Sequence, residues 1–207
     1  MEIGSGIGNI SKFLAHLNKN LILTDVNESH LEYIRYRFIG NPKVRIISHD
    51  ILSTDLSDIL PSKVDTVVCI NVLEHIKDDN KSLENIYEIL SKNGRLILIV
   101  PAIKILYGSL DKKIGHFRRY EKSELVKKLE YKNFAIEKIY YHNLISAIGW
   151  FVTGRILKKK LISSFQAMLL DKFIPFFAKI EKGVKIPFGL SLIVICKKEF
   201  DSGRIKK

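Results

Sequence analysis

Residues 1–10 read "MEIGSGIGNI", an acidic residue followed by glycines at positions 4, 6 and 8. Where a strand ends in Gly-x-Gly-x-Gly and passes into a helix, the backbone can turn tightly and approach a ligand closely, because no Cβ intervenes. Dinucleotide enzymes use Gly-x-Gly-x-x-Gly, with the pyrophosphate at the helix N-terminus. Here Asn9 occupies position 9, so that spacing is missed by one residue. A glycine pattern taken singly is weak, and a ligand-free turn is its plain alternative. The rest of the chain has to decide.

Downstream, apolar runs alternate with amphipathic ones. "LILTDV" (21–26) precedes "ESHLEYIRYRFI" (28–39), where Leu31, Tyr33, Ile34 and Phe38 fall on helical spacing. "VRIISHD" (44–50) follows, then "VDTVVCINV" (64–72) and the helical "DDNKSLENIYEILSK" (78–92), with a stripe of Leu83, Ile86, Ile89 and Leu90. Asn93-Gly94 supplies the stop before "RLILIVPA" (95–102). Strands this rich in Ile, Val and Leu need cover on both faces, which predicts an open α/β fold: a parallel sheet flanked by helices. Beyond residue 102 comes a basic, aromatic loop, "YGSLDKKIGHFRRY" (107–120). The helix-like "EKSELVKKLE" (121–130), the strand-like "FAIEKIYYH" (134–142), a helical stretch over 143–182 and a closing strand "GLSLIVICKK" (189–198) follow.

A length of 207 residues with 46% apolar side chains suits one domain with one good core. Cys69 and Cys196 sit inside apolar runs and read as buried thiols of a reducing cytosol, not as a disulfide or metal pair. No basic patch followed by an apolar run opens the chain, and the uncharged stretches fall short of the ~20 residues that span a bilayer, so a cytoplasmic protein is expected. The net charge of +12 is uneven: residues 1–100 sum to −2 and residues 101–207 to +14. Such asymmetry marks a basic face turned toward phosphate, anionic membrane or nucleic acid, or else a lysine-rich solvated surface.

Polar residues stand at the ends of successive strands. Asp25 ends the second, where a carboxylate can accept from both hydroxyls of a ribose; Asp50 and Ile51 end the third; Asn71 ends the fourth and opens "NVLEHI". Taken singly each is a cap or loop residue, but together they outline a ligand lying across the carboxyl ends of the strands.

The ordered set "EIGSGIG", "LTDV", "HDIL", "DTVVCINVLEHI" and "LSKNGRLILIVPA" resembles the class I, Rossmann-like methyltransferases that use S-adenosylmethionine. The match covers residues 1–102; "YGSLDKKIGHFRRY" and "GLSLIVICKK" resemble a subgroup acting on small molecules, often found beside glycosyltransferases of cell-surface polysaccharide or lipid synthesis. The resemblance implies strand order 3-2-1-4-5-7-6 with the last strand antiparallel. It makes 1–102 the cofactor half and 103–207 the substrate half of a single domain, with 143–182 a helical insertion. It further implies that Glu2, Gly4, Ser5 and Gly6 line the methionine part of S-adenosylmethionine, and that Asp25 holds the ribose with Val26 beside the adenine. Asp50 and Ile51 would meet the adenine amine and ring, and Asn71 and Leu73 would flank the sulfonium. Relatives carry a helix and most of strand one ahead of the acidic residue, whereas Met1 directly precedes Glu2 here. A shortened first strand is therefore expected, with the chain truncated or its start upstream, and cofactor binding weakened.

Methyl transfer from a sulfonium mainly requires alignment of nucleophile and methyl, and a general base only when the nucleophile must lose a proton. Candidates gather in two places: Glu74 and His75 after the fourth strand, and Asp111, His116, Arg118, Arg119 and Tyr120 after the fifth, with Tyr107 opening that loop. His116 suits a base. The competing reading has His116 and Tyr120 brace the loop while the arginines bind phosphate or acidic sugar groups. The six histidines show no ligand-like spacing with cysteine or carboxylate, so a metal is set aside.

Leu144, Ile148, Phe151, Val152 and Ile156 share a helical face, followed by Lys158–Lys160 and by Phe165, Met168, Leu169, Phe173, Phe176 and Phe177. Such a stretch can lie in a membrane interface, giving peripheral contact through 143–182, or cap the active site. The expected activity is methylation, at oxygen, of a small or lipid-linked acidic acceptor. A non-catalytic module built on the same fold is an alternative, and a nucleic-acid methyltransferase another; "NVLEHI" offers no aromatic to stack a flipped base. A nicotinamide-dependent reductase is disfavoured by the glycine spacing and by the lack of a Tyr-x-x-x-Lys pair.

Overall fold

The computed structural model describes residues 1–17, 19–53, 62–158 and 186–199. Seven strands form one sheet in the order β3-β2-β1-β4-β5-β7-β6. They are β1 (Glu2–Ile3), β2 (Leu21–Asp25), β3 (Val44–Ser48), β4 (Val64–Ile70), β5 (Leu90–Pro101), β6 (Phe134–His142) and β7 (Ser191–Lys198). The first five run parallel, while β7 is antiparallel to both β5 and β6. Order and direction both agree with the expectation.

Helices α1 (Ser11–Ala15) and α2 (Glu28–Arg37) cover one face, where Leu21, Leu23, Leu31 and Ile34 are buried together against Leu14, Phe38, Val44 and Ile46. α2 starts where it does because the Asn27 side chain accepts from the Ser29 N–H at 3.0 Å, satisfying a donor with no partner inside the helix. Tyr33, placed on the apolar stripe from spacing, points outward and is 51% exposed; Leu31 and Ile34 alone of that stripe are fully covered within the helix. The larger core lies on the other face, where α3 (Asp79–Ile89) and α5 (Lys122–Tyr131) pack Leu83, Ile86, Ile89, Leu125 and Leu129 onto β4, β5 and β7. Each such side chain contributes about 1.5–3 kcal/mol by leaving water.

α3 was expected to reach residue 92, but it ends at Ile89. Leu90 pairs with Val64, and a register irregularity follows before Thr66 meets Arg95. Asn93, with φ +63°, turns the chain within that irregularity.

β1 supplies only Glu2 and Ile3 to the centre of the sheet, each paired on both sides. Below them a cavity of about 600 Å³, lined by Met1, Leu14, Leu21, Val64, Thr66 and Val68 among others, opens between β2 and β4. It lies at the amino ends of the strands, away from the loops described next.

α4 (Ser109–Lys113), α6 (Leu144–Trp150) and a π-helical turn (Phe151–Ile156) sit beyond β5 and β6. Of the apolar face read as either a membrane-interface surface or a cap, Ile148, Val152 and Ile156 are exposed, while Ser146, Ala147, Thr153 and Gly154 face inward. Close approach sets which face goes inside. The Gly154 carbonyl lies so near Gly108 that a Cβ there would fall 2.6 Å from it, and it accepts the Ser109 hydroxyl at 3.0 Å. Residues 159–182 of the expected insertion, with its phenylalanines, lie outside the described residues. Among the described residues no helix is long and apolar enough to cross a membrane.

Candidate active site

The glycine turn leaves β1 with Gly4, Gly6 and Gly8 at φ +68°, +53° and +79°. Their reasons differ. A Cβ on Gly4 would run into Val72 Cγ2, and one on Gly8 would press Ile34 at 3.1 Å. Gly6 faces open space, with nothing within 4 Å. The first and third glycines therefore serve packing, and the second leaves room.

Asp25 locks this turn to the end of β2. Its Oδ2 accepts the Gly6 N–H at 2.8 Å and its Oδ1 accepts the Asn27 N–H at 2.9 Å. Ser5 is tied to the same strand by its N–H to the Thr24 carbonyl at 2.9 Å. Glu2 is buried beneath, its Oε2 accepting the Ser11 hydroxyl at 2.6 Å; burial raises its pKa. Val26 stands 69% exposed beside Asp25. Asp50 is exposed and its Oδ1 accepts the Leu52 N–H at 2.9 Å, whereas Ile51 is buried against the core. Asn71, exposed and left-handed at φ +52°, closes the ring at the end of β4. Leu73 differs from the expectation that it flanks the ligand: it is fully buried in the core and supports the site from below.

This ring fits an adenosyl group. The open space at Gly6, the exposed apolar Val26 and the carboxylate between them provide clearance, a stacking surface and acceptors at adjacent points.

The second cluster lies over the ends of β4 and β5. A 3₁₀ turn at Leu73–His75 carries Glu74 and His75, and the loop after α4 carries His116. The Phe117 N–H donates to the Glu74 carbonyl at 2.8 Å, stitching the two together. Asp111 is the hub. Its Oδ1 accepts from His116 Nδ1 at 3.0 Å and Arg119 Nε at 2.8 Å, and its Oδ2 from the Gly108 N–H at 3.0 Å and Trp150 Nε1 at 3.1 Å. Burial works against its ionisation, but His116, Arg119, Trp150 and Gly108 together outweigh it and lower its pKa. An ionised Asp111 fixes the proton of His116 on Nδ1. The free lone pair is on Nε2, which lies 3.6 Å from Glu74 Oε1.

Glu74 has the opposite environment. It is wholly buried, neither carboxylate oxygen has a hydrogen-bond partner, and burial pushes its pKa up to about 7. His75 is exposed, its ring edge-to-face with His116 at 4.7 Å, and desolvation lowers its pKa.

The remaining loop residues are engaged within the protein. Arg119 is 2% exposed, bonded to Asp111 and to the Ala102 carbonyl at 3.1 Å, with Trp150 over its guanidinium. Arg118 reaches Asp79 at 3.0 Å and the Lys77 carbonyl at 2.6 Å. Tyr120 is buried and donates its hydroxyl to Asp79 at 2.9 Å; burial raises its pKa. Tyr107 donates to the His116 carbonyl at 2.9 Å. These four brace the loop. Sequence reasoning missed Trp150 and Val72; that Trp150 is the chain's one tryptophan was the available signal.

Comparison with known proteins agrees with the geometry. Residues 1–96 match the family model described as a methyltransferase domain. Polyketide synthase 42 of Dictyostelium discoideum is 30% identical over 139 residues, 58% of this chain but 5% of the relative. The mitochondrial ubiquinone biosynthesis O-methyltransferase of Schizosaccharomyces pombe is 28% identical over 98 residues, 47% of this chain and 36% of the relative. The chain thus spans a small part of these relatives' length. The solved structure of magnesium protoporphyrin IX methyltransferase from Synechocystis, with bound S-adenosylhomocysteine, superposes with a TM-score of 0.59 at 16% identity, covering 96% of this chain and 73% of that one. The motif order, the sheet order and the methyltransferase-domain match over residues 1–96 together support a class I S-adenosylmethionine-dependent methyltransferase with a Rossmann-like fold.

Proposed function

We propose that the protein transfers a methyl group from S-adenosylmethionine to a hydroxyl oxygen of a small or lipid-linked acidic acceptor. When bound, the cofactor supplies a sulfonium-activated methyl group whose leaving partner is a neutral thioether. Gly6, Asp25, Val26, Asp50 and Asn71 would hold it across the strand ends.

The observation that carries the reading is the buried Glu74–His116 pair beside Asn71. Asp111 keeps His116 in the tautomer whose Nε2 can take the acceptor's proton, while Phe117 and Tyr107 hold its loop in place. The acceptor's oxygen forms the new bond as its proton passes to that nitrogen. Correct placement supplies most of the acceleration in such a displacement.

An acidic acceptor is supported by a cavity of about 300 Å³ between α4 and the π-helical turn, lined by Lys112, Arg155 and Lys158. None of the three has a carboxylate partner among the described residues. The outward Ile148, Val152 and Ile156 suit a lipid-linked acceptor. The relatives named for polyketide and ubiquinone biosynthesis support a small-molecule acceptor.

Calorimetric titration with S-adenosylhomocysteine tests the cofactor half, and absence of heat would leave a non-catalytic module. Transfer of labelled methyl into acidic hydroxylated compounds and lipid extracts tests the rest. Arg155→Glu should weaken use of anionic acceptors, and His116→Gln should abolish transfer while leaving S-adenosylhomocysteine binding intact. Full turnover by His116→Gln would remove it as proton acceptor.

A further inference from the structure

We propose that Glu74, His75 and His116 form a binding site for a divalent transition-metal ion of the zinc and cobalt class. One ligand atom from each lies within 4.8 Å of the other two. Two imidazoles and one carboxylate are a donor set that such ions favour, and the nitrogens select against magnesium and calcium.

Three independent features point at a cation. Glu74 is completely buried with both oxygens unpartnered, although a buried carboxylate without donors is costly. A cation between Glu74 and His116 satisfies it. His116 is already arranged as a ligand, since its Nδ1 is held by Asp111 and its Nε2 lone pair faces Glu74. A carboxylate behind a histidine in this way orients the ring and raises its basicity toward a metal. The supports are rigid as well: Arg119 and Trp150 fix Asp111, and the Phe117 N–H ties the two donor segments together.

His75 is exposed, so the open positions of such an ion would be reached from solvent on its side. This deepens the methyl-transfer reading and, for its role in chemistry, rests on it. Held by Glu74, His75 and His116, such an ion would make an acceptor hydroxyl more acidic, so that its proton could leave to solvent while His116 serves as a ligand and not as the proton acceptor. Binding of the ion itself does not depend on that reading.

The test uses the full chain stripped with a chelator, then titrated with Zn²⁺ against a chromophoric chelator and with Co²⁺ followed by visible absorption. One equivalent of each should bind, with cobalt bands of low coordination number, and millimolar Mg²⁺ should not displace them. His75→Ala should weaken Zn²⁺ at least tenfold, whereas His16→Ala on the exposed end of α1 should not. Zn²⁺ affinity equal in wild type and His75→Ala, or lowered equally by His16→Ala, overturns the site. Glu74→Gln should also lose Zn²⁺; should that variant fail to fold, His75→Ala decides. S-adenosylhomocysteine titrated into the same samples separates the two readings: its binding without Zn²⁺ overturns only the ion, and Zn²⁺ binding without it overturns only methyl transfer.

Discussion

The division of labour among the glycines gives a prediction with two separable readouts. Gly6→Ala places a methyl in open space at φ +53°, so its folding cost is the left-handed backbone alone, about 1–2 kcal/mol. In a chain of this size that lowers Tm by roughly 2–8 °C. Gly4→Ala carries the same backbone cost and also drives a methyl into Val72, where overpacking adds about 1–3 kcal/mol. Thermal unfolding should therefore rank Gly4→Ala well below Gly6→Ala. Affinity for S-adenosylhomocysteine should rank them the other way once each is measured below its own Tm, because only the Gly6 methyl enters the cradle. A loss of tenfold or more for Gly6→Ala, about 1.4 kcal/mol, is expected. Val72→Ala should recover the overpacking part of the Gly4→Ala cost and none of the Gly6→Ala loss, which a double-mutant cycle reads directly. Wild-type affinity in Gly6→Ala would refute the idea that this backbone borders the cofactor.

Three further outcomes follow from the buried polar groups. Asp79→Asn leaves Tyr120, Lys128 and Arg118 without their shared carboxylate; with two of these able to reach water, a loss of about 2–3 kcal/mol in denaturant unfolding is expected, with S-adenosylhomocysteine binding unchanged. Asp111→Asn should move the His116 proton from Nδ1 to Nε2, visible in the nitrogen shifts of the ring, and destabilise by about 3 kcal/mol because Arg119 stays buried; an unmoved tautomer would remove Asp111 as the positioning group. His49 is buried, and desolvation lowers its pKa below 6.5. Between that lowered value and about 6.5 the unfolded chain holds more protons than the folded one, so stability falls as pH drops through this window. His49→Gln should flatten that slope in urea unfolding followed from pH 7 to 5.

The sheet was readable because its central runs, 66–70 and 96–101, are apolar or nearly so, a pattern few other arrangements produce; β6 was found over the very residues its texture suggested, 134–142. The α3–β5 boundary was not readable, because Leu90 continues the helical stripe and only its pairing with Val64 takes it into the sheet. The outward turn of Ile148, Val152 and Ile156 was hidden for a similar reason. Spacing shows that a face is apolar, but the tight Gly108–Gly154 contact decides which face goes inside. At the site, Asp25 and Asn71 were legible from their places at strand ends. The roles of Arg118 and Arg119 were not, since whether an arginine is free depends on carboxylates at Asp79 and Asp111 that the fold alone brings near. His75 and His116 belong to segments on either side of β5, and sequence spacing gives no hint that their rings touch.

Glu74 and Asp111 show how one fold makes two carboxylates unlike. Both are wholly buried, yet Asp111 receives four donors and Glu74 receives none. Four donors saturate a carboxylate, so Asp111 has no capacity left for a ligand and can act only by holding His116. Glu74 keeps its acceptor capacity in a fully buried place. Its neighbour Arg119 is already committed to Asp111, which leaves His116 Nε2 as the nearest group able to share a proton or a cation with it. The asymmetry makes Asp111 a support and leaves Glu74 the carboxylate with free acceptors. It arises from the chain's path: the Gly108 turn and Trp150 bring their donors to Asp111, whereas the turn after β4 leaves both Glu74 oxygens without a hydrogen-bond partner.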